Sequence, residues 1–302
     1  MYRLGLNTGF AVNRFAEPEE WTKVFKMLNI NYAQFTADLL NVCLPDKIIH
    51  QEVSLIKEHC LLNDVNIRSA FTGAFTRVNH LAHPDKNIRE YWVSWFKRYI
   101  DLAIEIGAKS IGSHSGILTE KDDRNPQRRR ERVEQNIECW HEIARYAKKK
   151  CIEFISWEPM SISREQGHTI YETWELNKKL NENSPIPFKI CLDVDHGDQT
   201  SLNLNDSDPY QWLENFADLS PQIHLKQSIN GNSNSNYPFL EKYNRVGRIN
   251  ADKVINILLK KNITDVDLIL EINFKERNPI DKLVIEHLNE SIQYWKKSIP
   301  NT

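Results

Sequence analysis

Four residues with metal-binding side chains stand at the carboxyl ends of four consecutive apolar segments. Glu158 lies in ISWEP, Asp193 in CLDVDHGD, His224 in QIHLKQ and Glu271 in LILEIN. Three carboxylates and one imidazole form an oxygen-rich donor set, which suits Mn²⁺ or Mg²⁺, with Co²⁺ or Zn²⁺ as alternative occupants. The sequence therefore predicts one divalent metal ion, Mn²⁺ first among these, held by the four side chains.

A competing interpretation is that each carboxylate caps the helix that follows its strand. It fits any one of the residues taken alone, because acidic side chains are common at helix starts. The apolar segments, however, place these acids in the interior, where several carboxylates together without a counter-ion are very costly. Because all four residues stand at the same point of successive segments, the metal interpretation is favoured.

Eight short apolar segments alternate with helical segments along the whole chain. The predicted strands are 2–8, 32–36, 66–71, 109–113, 153–157, 189–193, 222–226 and 267–271. The predicted helices are 17–28, 46–63, 88–106, 128–150, 164–183, 208–216, 250–261 and 279–297. Eight right-handed β–α units predict a closed (β/α)8 barrel, a TIM barrel, as one catalytic domain over residues 1–302. The first strand runs into LNTGFAVN without a G-x-G-x-x-G pattern, which disfavours an open dinucleotide-binding sheet.

Composition narrows the class of partner. The 302 residues carry a net charge of -2, so no surface is built to neutralise many phosphates, and nucleic acid is not expected as a partner. The five cysteines are scattered without a C-x-x-C pair, which is typical of reduced thiols in a cytosol. The amino-terminal MYRLGLNTGF has no signal-like apolar core, and no segment has the length of a membrane span. We expect a cytoplasmic protein without a membrane partner.

The whole chain resembles the xylose-isomerase-like barrel superfamily, in particular its sugar-phosphate isomerase and epimerase branch. The family pattern is a Glu, Asp, His, Glu quartet on strands five to eight, with a second histidine three residues after the aspartate, here His196. NHLAHPD, SHSG and SREQG also resemble this branch, and SHSG, MSISRE and DPYQWL are most similar to tetrulose-phosphate 3-epimerases among the ketose 3-epimerases. The resemblance implies that Glu158 and Glu271 act as the acid/base pair and that His196 contacts the substrate.

Enediolate chemistry agrees with this resemblance. Moving a proton next to a ketone requires a base near the C–H bond and an electrophile at the oxygen, which a chelated metal supplies. Two glutamates on opposite sides of the ion would give epimerisation of a small ketose or ketose phosphate. A single glutamate that shuttles the proton would give aldose–ketose isomerisation, and the sequence leaves both open.

Several further residues are candidates for substrate binding. His114 ends the fourth predicted strand and could hydrogen-bond a hydroxyl group, while Lys226 shares the inward side of its strand with His224. Arg245 and Arg248, in YNRVGR, follow a polar loop at 228–237 and could reach an anionic substrate. This loop and the charged loop at 118–127 are predicted to lie at the carboxyl face of the barrel, where lids and specificity loops are found. A homo-oligomer is a further expectation.

Three alternative functions remain at this stage. An endonuclease IV-like phosphodiesterase would need additional histidines and a D-x-H pair after strand seven, but YNRVGR has no such pair and Phe71 stands where strand three would offer a ligand. A dehydratase of the same barrel type would share the quartet and eliminate a hydroxyl group. A catalytically silent binding protein would not need two opposed glutamates on the metal.

Zinc-replete protein is expected to leave abasic-site DNA uncut, because the D-x-H ligands for a third zinc are missing and the surface is not basic. The measurement is gel analysis of a labelled abasic duplex, with an authentic enzyme of the endonuclease IV class as the positive control. Efficient incision at low enzyme concentration would overturn the isomerase interpretation.

Overall fold

Eight parallel strands pair in chain order around a closed barrel in the computed structural model. The strands are β1 Tyr2–Asn7, β2 Tyr32–Thr36, β3 Asn66–Phe71, β4 Ser110–His114, β5 Phe154–Glu158, β6 Phe188–Asp193, β7 Gln222–Leu225 and β8 Val266–Leu270. The last strand pairs with the first, Leu270 lying opposite Leu6, which closes the barrel. The predicted (β/α)8 barrel is therefore confirmed. The structure describes residues 1–77, 79–229, 236–274 and 280–300.

Helices follow the strands and cover the outside of the barrel. They are α1 Pro18–Leu28, α2 Asp46–Leu62, α3 Lys86–Glu105, α4 Glu120–Asp123, α5 Pro126–Lys149, α6 Ile170–Asn181, α7 Pro209–Phe216, α8 Glu241–Asn244, α9 Ala251–Lys260 and α10 Val284–Lys296. The starts of α1, α5 and α7 carry a proline, which has no backbone N–H to leave unpaired there. Side chains of Asn125 and Thr169 cap α5 and α6 by accepting backbone N–H groups. Among the described helices, none combines the length and apolar character needed to cross a membrane.

The helix predicted at 164–183 begins later than expected. The segment opens with a 3₁₀ turn at Ser163–Glu165, and α6 starts only at Ile170. Gln166 and Gly167 have φ values of 67° and 68°, a left-handed conformation that cannot continue a helix. The helix predicted at 279–297 likewise begins at Val284, after a 3₁₀ turn at Asp281–Leu283, and residue 279 lies outside the described residues. Part of the loop predicted at 118–127 forms the short helix α4.

Aromatic side chains fill the layer between the strands and the helices. Five tryptophans are almost completely buried: Trp21, Trp140, Trp157, Trp212 and Trp295. Large apolar residues of this kind contribute roughly 1.5–3 kcal/mol each on burial, so this layer supplies much of the drive that holds the helices on the barrel. The strands are therefore rigidly supported, and the residues at their ends have defined positions.

A buried ion cluster fastens the amino-terminal end of the barrel. Asp267, in β8, accepts hydrogen bonds from the Nε atoms of Arg3 in β1 and of Arg68 in β3, the latter at 2.9 Å. The Asp267 and Arg3 side chains are only 7% and 11% exposed, so water does little to screen this pair. Asp267 and Glu271 are four residues apart and lie on the same side of their strand, with the cluster at one end and Glu271 at the other.

Asp267→Asn is expected to lower the free energy of unfolding by roughly 3 kcal/mol, because removing one partner of a buried ion pair leaves an uncompensated charge. The measurement is chemical denaturation of the variant and the wild-type protein. Glu19→Gln, which breaks an exposed pair with Lys23 on α1, is the control and should leave the free energy of unfolding nearly unchanged. Equal stability of Asp267→Asn and wild type would show that the cluster does not stabilise the barrel.

Candidate active site

The four predicted metal-binding residues meet at the carboxyl end of the barrel. Glu158 and Asp193 are the last residues of β5 and β6, His224 lies in β7, and Glu271 directly follows β8. Each offers one donor atom, and these atoms all lie within 4.8 Å of one another. Asp193 and His224 are paired across neighbouring strands, which places their side chains side by side. The structure thus brings together residues that are up to 113 positions apart in the chain, from Glu158 to Glu271.

Hydrogen bonds fix the orientation of the His224 imidazole. Its Nε2 atom lies 2.8 Å from Gln34 Oε1, and this oxygen also accepts a hydrogen bond of 2.7 Å from Asn7 Nδ2. A carbonyl oxygen can only accept, so Nε2 carries a proton. Nδ1 lies 3.2 Å from Glu158 Oε1 and 3.4 Å from Glu271 Oε2. The imidazole therefore points Nδ1, the nitrogen that could bind a metal once it is deprotonated, at the space between the two glutamates.

The three carboxylates of Glu158, Asp193 and Glu271 are stabilised by positive charge close by. Burial on its own lowers the pKa of His224, but Cys191, Glu271 and Glu158 raise this pKa well above its ordinary value. Burial likewise raises the pKa of Glu271, yet His224 and Lys226 bring this pKa far below its ordinary value. His224 and Lys226 thus keep Glu271 ionised, and the negative charge of the site favours a cation. A divalent ion among the donor atoms satisfies the same demand, so the residues fit a metal site.

Lys226 is a buried cation next to the quartet. Its side chain is 3% exposed, and Nζ lies 2.6 Å from Asp193 Oδ2 and 3.8 Å from Glu271 Oε2. Burial lowers the pKa of Lys226, but Asp193 and Glu271 raise it above its ordinary value, so the ammonium stays charged. The Nζ atom is also 3.3 Å from His196 Nε2, while His196 Nδ1 lies 2.9 Å from the carbonyl oxygen of Pro159. Lys226 and His196 thus form one polar edge of the site.

His114 ends β4 beside Glu158, to which it is paired across the strands. It is 2% exposed, and neither of its ring nitrogens makes a hydrogen bond within the described residues. Burial, together with the positive charge of Arg77 and the nearby His196, lowers its pKa to about 3. At neutral pH His114 is therefore an uncharged ring with one donor and one acceptor available.

A cavity of about 490 Å³ opens over these residues. Its walls include Asn7, Arg14, Arg77, His114, Glu158, His196, Lys226 and Glu271. This volume suits a small metabolite rather than a polymer.

The two arginines predicted to reach an anionic substrate lie away from these walls. The Arg245 side chain is 73% exposed and pairs with Glu241, one turn earlier in the chain. Arg248 instead lies 3.4 Å from Asp195 Oδ1. In the loop predicted at 228–237, backbone hydrogen bonds pair Gln227 with Tyr237, and residues 230–235 lie outside the described part of the chain.

Several lining or supporting residues escaped the sequence analysis, among them Gln34, Asn7 and Arg14. Gln34 is completely buried in the middle of YAQFT, and a polar residue inside an apolar strand is a signal that could have pointed to it. Asn7 ends β1, the same position in the barrel as the quartet residues, so strand position could also have found it. Arg14 lies in a turn after β1 and has no such signal.

The fold and the site define a family. The chain belongs to the xylose isomerase-like TIM barrel family, whose model matches residues 23–297. It is an enzyme of the isomerase class, with epimerases among its relatives.

The chain is similar over nearly its whole length to an epimerase and to several solved structures. The chain is 37% identical over 298 residues to D-erythrulose 1-phosphate 3-epimerase of Brucella abortus, covering 98% of this chain and 96% of that protein. Among solved structures, a provisionally named xylose isomerase from Rhodospirillum rubrum has a TM-score of 0.90 at 22% identity, covering 99% of this chain and 100% of that one. D-psicose 3-epimerase from Clostridium cellulolyticum has a TM-score of 0.70 at 12% identity, with the same coverage. At these identities the two structures show the shared fold alone.

Proposed function

We propose that this protein is a metal-dependent ketose-phosphate 3-epimerase that acts on a tetrulose phosphate such as D-erythrulose 1-phosphate. The observation that carries the proposal is the convergence of two glutamates from different strands on one set of donor atoms, all within 4.8 Å. Epimerisation requires a proton carrier on each face of the substrate, and Glu158 and Glu271 approach the centre from β5 and from the end of β8. The name of the relative that is 37% identical supports the choice of substrate.

The metal would be held by Glu158, Asp193, His224 Nδ1 and Glu271. Asp193 Oδ1 accepts a hydrogen bond of 2.8 Å from the backbone N–H of Asp195, which leaves Oδ2 facing the site. Hard carboxylate oxygens with one imidazole favour Mn²⁺, with Mg²⁺, Co²⁺ or Zn²⁺ as alternatives. A divalent ion bound there supplies Lewis acidity that polarises the ketone and stabilises the negative charge of the transition state.

The two glutamates move the proton. One carboxylate removes the proton from C3 of the ketose, and the electron pair of the C–H bond passes into the enediolate. The other glutamate, already protonated, delivers its proton to the opposite face of C3, so the configuration inverts. The two side chains exchange protonation states in each turnover, and general acid–base catalysis of this kind contributes typically about 10²–10⁴-fold in rate.

His114 and His196 would orient the substrate. Both line the cavity, and both offer ring nitrogens near the quartet, His114 beside Glu158 and His196 beside Lys226. A neutral imidazole can donate to one hydroxyl group or accept from another, which fixes the sugar relative to the two carboxylates. Lys226 supports the same edge of the site through its ion pair with Asp193. Arg245 lies outside the cavity wall and has no part in this proposal.

The competing functions lack a specific supporting observation. Phe71, at the end of β3, packs its ring edge-on against His224 at a centroid distance of 5.0 Å, and it offers no ligand for a second metal. The cavity and the cluster of acids suit a small ketose phosphate better than a nucleic acid. The cytoplasmic location and the homo-oligomer stay predictions.

Gln34→Leu is expected to weaken metal binding roughly 10–100-fold, because Gln34 holds the imidazole of His224 in the orientation that frees Nδ1. His224→Ala should lower both bound metal and activity further, since one ligand is removed. Elemental analysis after dialysis and metal titration measure the effect, with Gln51→Leu on the exposed face of α2 as the control. Full metal occupancy in His224→Ala would remove this residue from the ligand set.

Glu158→Gln and Glu271→Gln test the acid/base pair, because glutamine keeps a coordinating oxygen but cannot take up a proton. Each variant should keep part of its metal and lose turnover by about 10²–10⁴-fold. NMR in D₂O is the measurement, and an epimerase should still exchange the C3 proton on its intact side without inversion.

Glu58→Gln on the surface of α2 is the matched control. An isomerase with one proton carrier would lose exchange in one variant and largely keep it in the other. Near wild-type turnover of both variants with metal bound would show that neither glutamate carries the proton.

A further inference from the structure

The phosphate group of the proposed substrate needs a positive partner that the quartet cannot supply. The Lys226 ammonium is already 2.6 Å from Asp193, and His224 faces two glutamates. A phosphate dianion placed among these carboxylates would meet like charge, which is destabilising at close range. Its binding site must therefore lie elsewhere on the cavity wall, at a cation that is not neutralised by the acids of the quartet.

Arg14 has the geometry of such a partner. It follows the 3₁₀ turn Thr8–Ala11 after β1, its side chain is 7% exposed, and it lines the cavity. Its Nε atom donates a hydrogen bond of 2.5 Å to Asp281 Oδ1. Among the described residues, the buried Nη2 atom of Arg14 has no hydrogen-bond partner. A guanidinium has five N–H donors, and the two on Nη2 are left for a ligand.

The other arginines near the site are less suited. The Arg77 side chain also lines the cavity, but it is 45% exposed and lies 3.6 Å from Glu165. Arg245 is 73% exposed and paired on the surface. Arg14 pairs with Asp281 through Nε, but its buried Nη2 atom has no partner among the described residues. Burying an unpartnered charged donor is costly, so this atom is the stronger indication of a ligand.

Asp281 holds the Arg14 guanidinium in place. Asp281 begins the 3₁₀ turn before α10, whereas Arg14 follows β1, so this contact joins the two loops that flank the β1–β8 seam. Glu271, directly after β8, lines the same cavity as Arg14. A planar guanidinium fixed through Nε can present its remaining N–H groups in the fork that matches phosphate oxygens.

We propose that Arg14 binds the phosphate group of the substrate and that Asp281 is the positioning residue for Arg14. This inference rests on the proposed function, since it assumes a phosphorylated ketose. It assigns the phosphate to the β1–β8 side of the cavity, beyond Glu271, so that the sugar carbons extend toward His114 and Glu158. Arg14 thereby selects phosphorylated ketoses over the free sugars.

Arg14→Gln is the decisive variant, because it keeps a polar side chain but removes the charge. The KM for D-erythrulose 1-phosphate should rise roughly 10–100-fold, as expected for losing hydrogen bonds to a charged group, while kcat changes little. C3 proton exchange of unphosphorylated D-erythrulose, followed by NMR in D₂O, should stay at the wild-type rate. Inorganic phosphate, used as a competitive inhibitor, should inhibit the variant at least about tenfold less than wild type.

Further variants and measurements make the result specific. Arg124→Gln, on an exposed arginine of the surface, should leave the KM unchanged. Thermal unfolding and metal content check that Arg14→Gln is folded and loaded. Arg14→Lys is a second variant for the case that Arg14→Gln does not fold, and it should raise the KM by a smaller factor. Asp281→Asn should give an intermediate KM with unchanged exchange of the free sugar.

Two outcomes would overturn the inference and leave the proposed function intact. In the first, both Arg14 variants keep the wild-type KM and the wild-type inhibition by phosphate. In the second, Arg77→Gln or Arg245→Gln loses phosphate selectivity and the Arg14 variants keep it. Failure of the wild-type, metal-loaded enzyme to exchange the C3 proton of any ketose, phosphorylated or free, would overturn the proposed function itself. The two failures are therefore distinguishable.

Discussion

The need to balance three carboxylates that lie close together, two of them buried and Glu271 partly exposed, governs the architecture of this site. Glu158, Asp193 and Glu271 could not remain ionised at the end of an apolar barrel without positive charge close by. The structure provides Lys226 on one side and the imidazole of His224 in the middle, and it brings the ligand-capable atoms of the four residues within 4.8 Å of one another. The same accumulation of negative charge disfavours a phosphate group at the centre, and in the proposed function this separates phosphate recognition from proton transfer.

The two halves of the barrel contribute different residues to the site. Strands β5 to β8 contribute the quartet and Lys226, whereas β1 and β2 contribute the residues that hold His224 in one orientation. The loops after β1 and β8 contribute Arg14 and Asp281. Orientation by a neighbouring hydrogen-bond acceptor is a common feature of metal-binding histidines, and in the proposed metal site the fully buried Gln34 of β2 has this role.

The barrel scaffold makes such precision possible. Its outer layer is packed with nearly completely buried tryptophans, and its amino-terminal end is fastened by the cluster of Arg3, Arg68 and Asp267. Both features lie away from the cavity, so stability and chemistry occupy different ends of the same strands. The loops at the carboxyl end can therefore differ in sequence without displacing the four residues at the strand ends.

The sequence alone determined the order of strands and helices and the four residues at the strand ends, because both depend on local hydrophobic pattern and on strand position. It misjudged the start of α6, since the left-handed backbone at Gln166 and Gly167 is a local conformation that periodicity does not reveal. Only the tertiary structure placed Arg245 on the surface and Arg14 in the cavity wall, next to Asp281. The partners Arg14 and Asp281 are 267 residues apart, and such a contact arises only when the barrel closes and brings the first and last loops together.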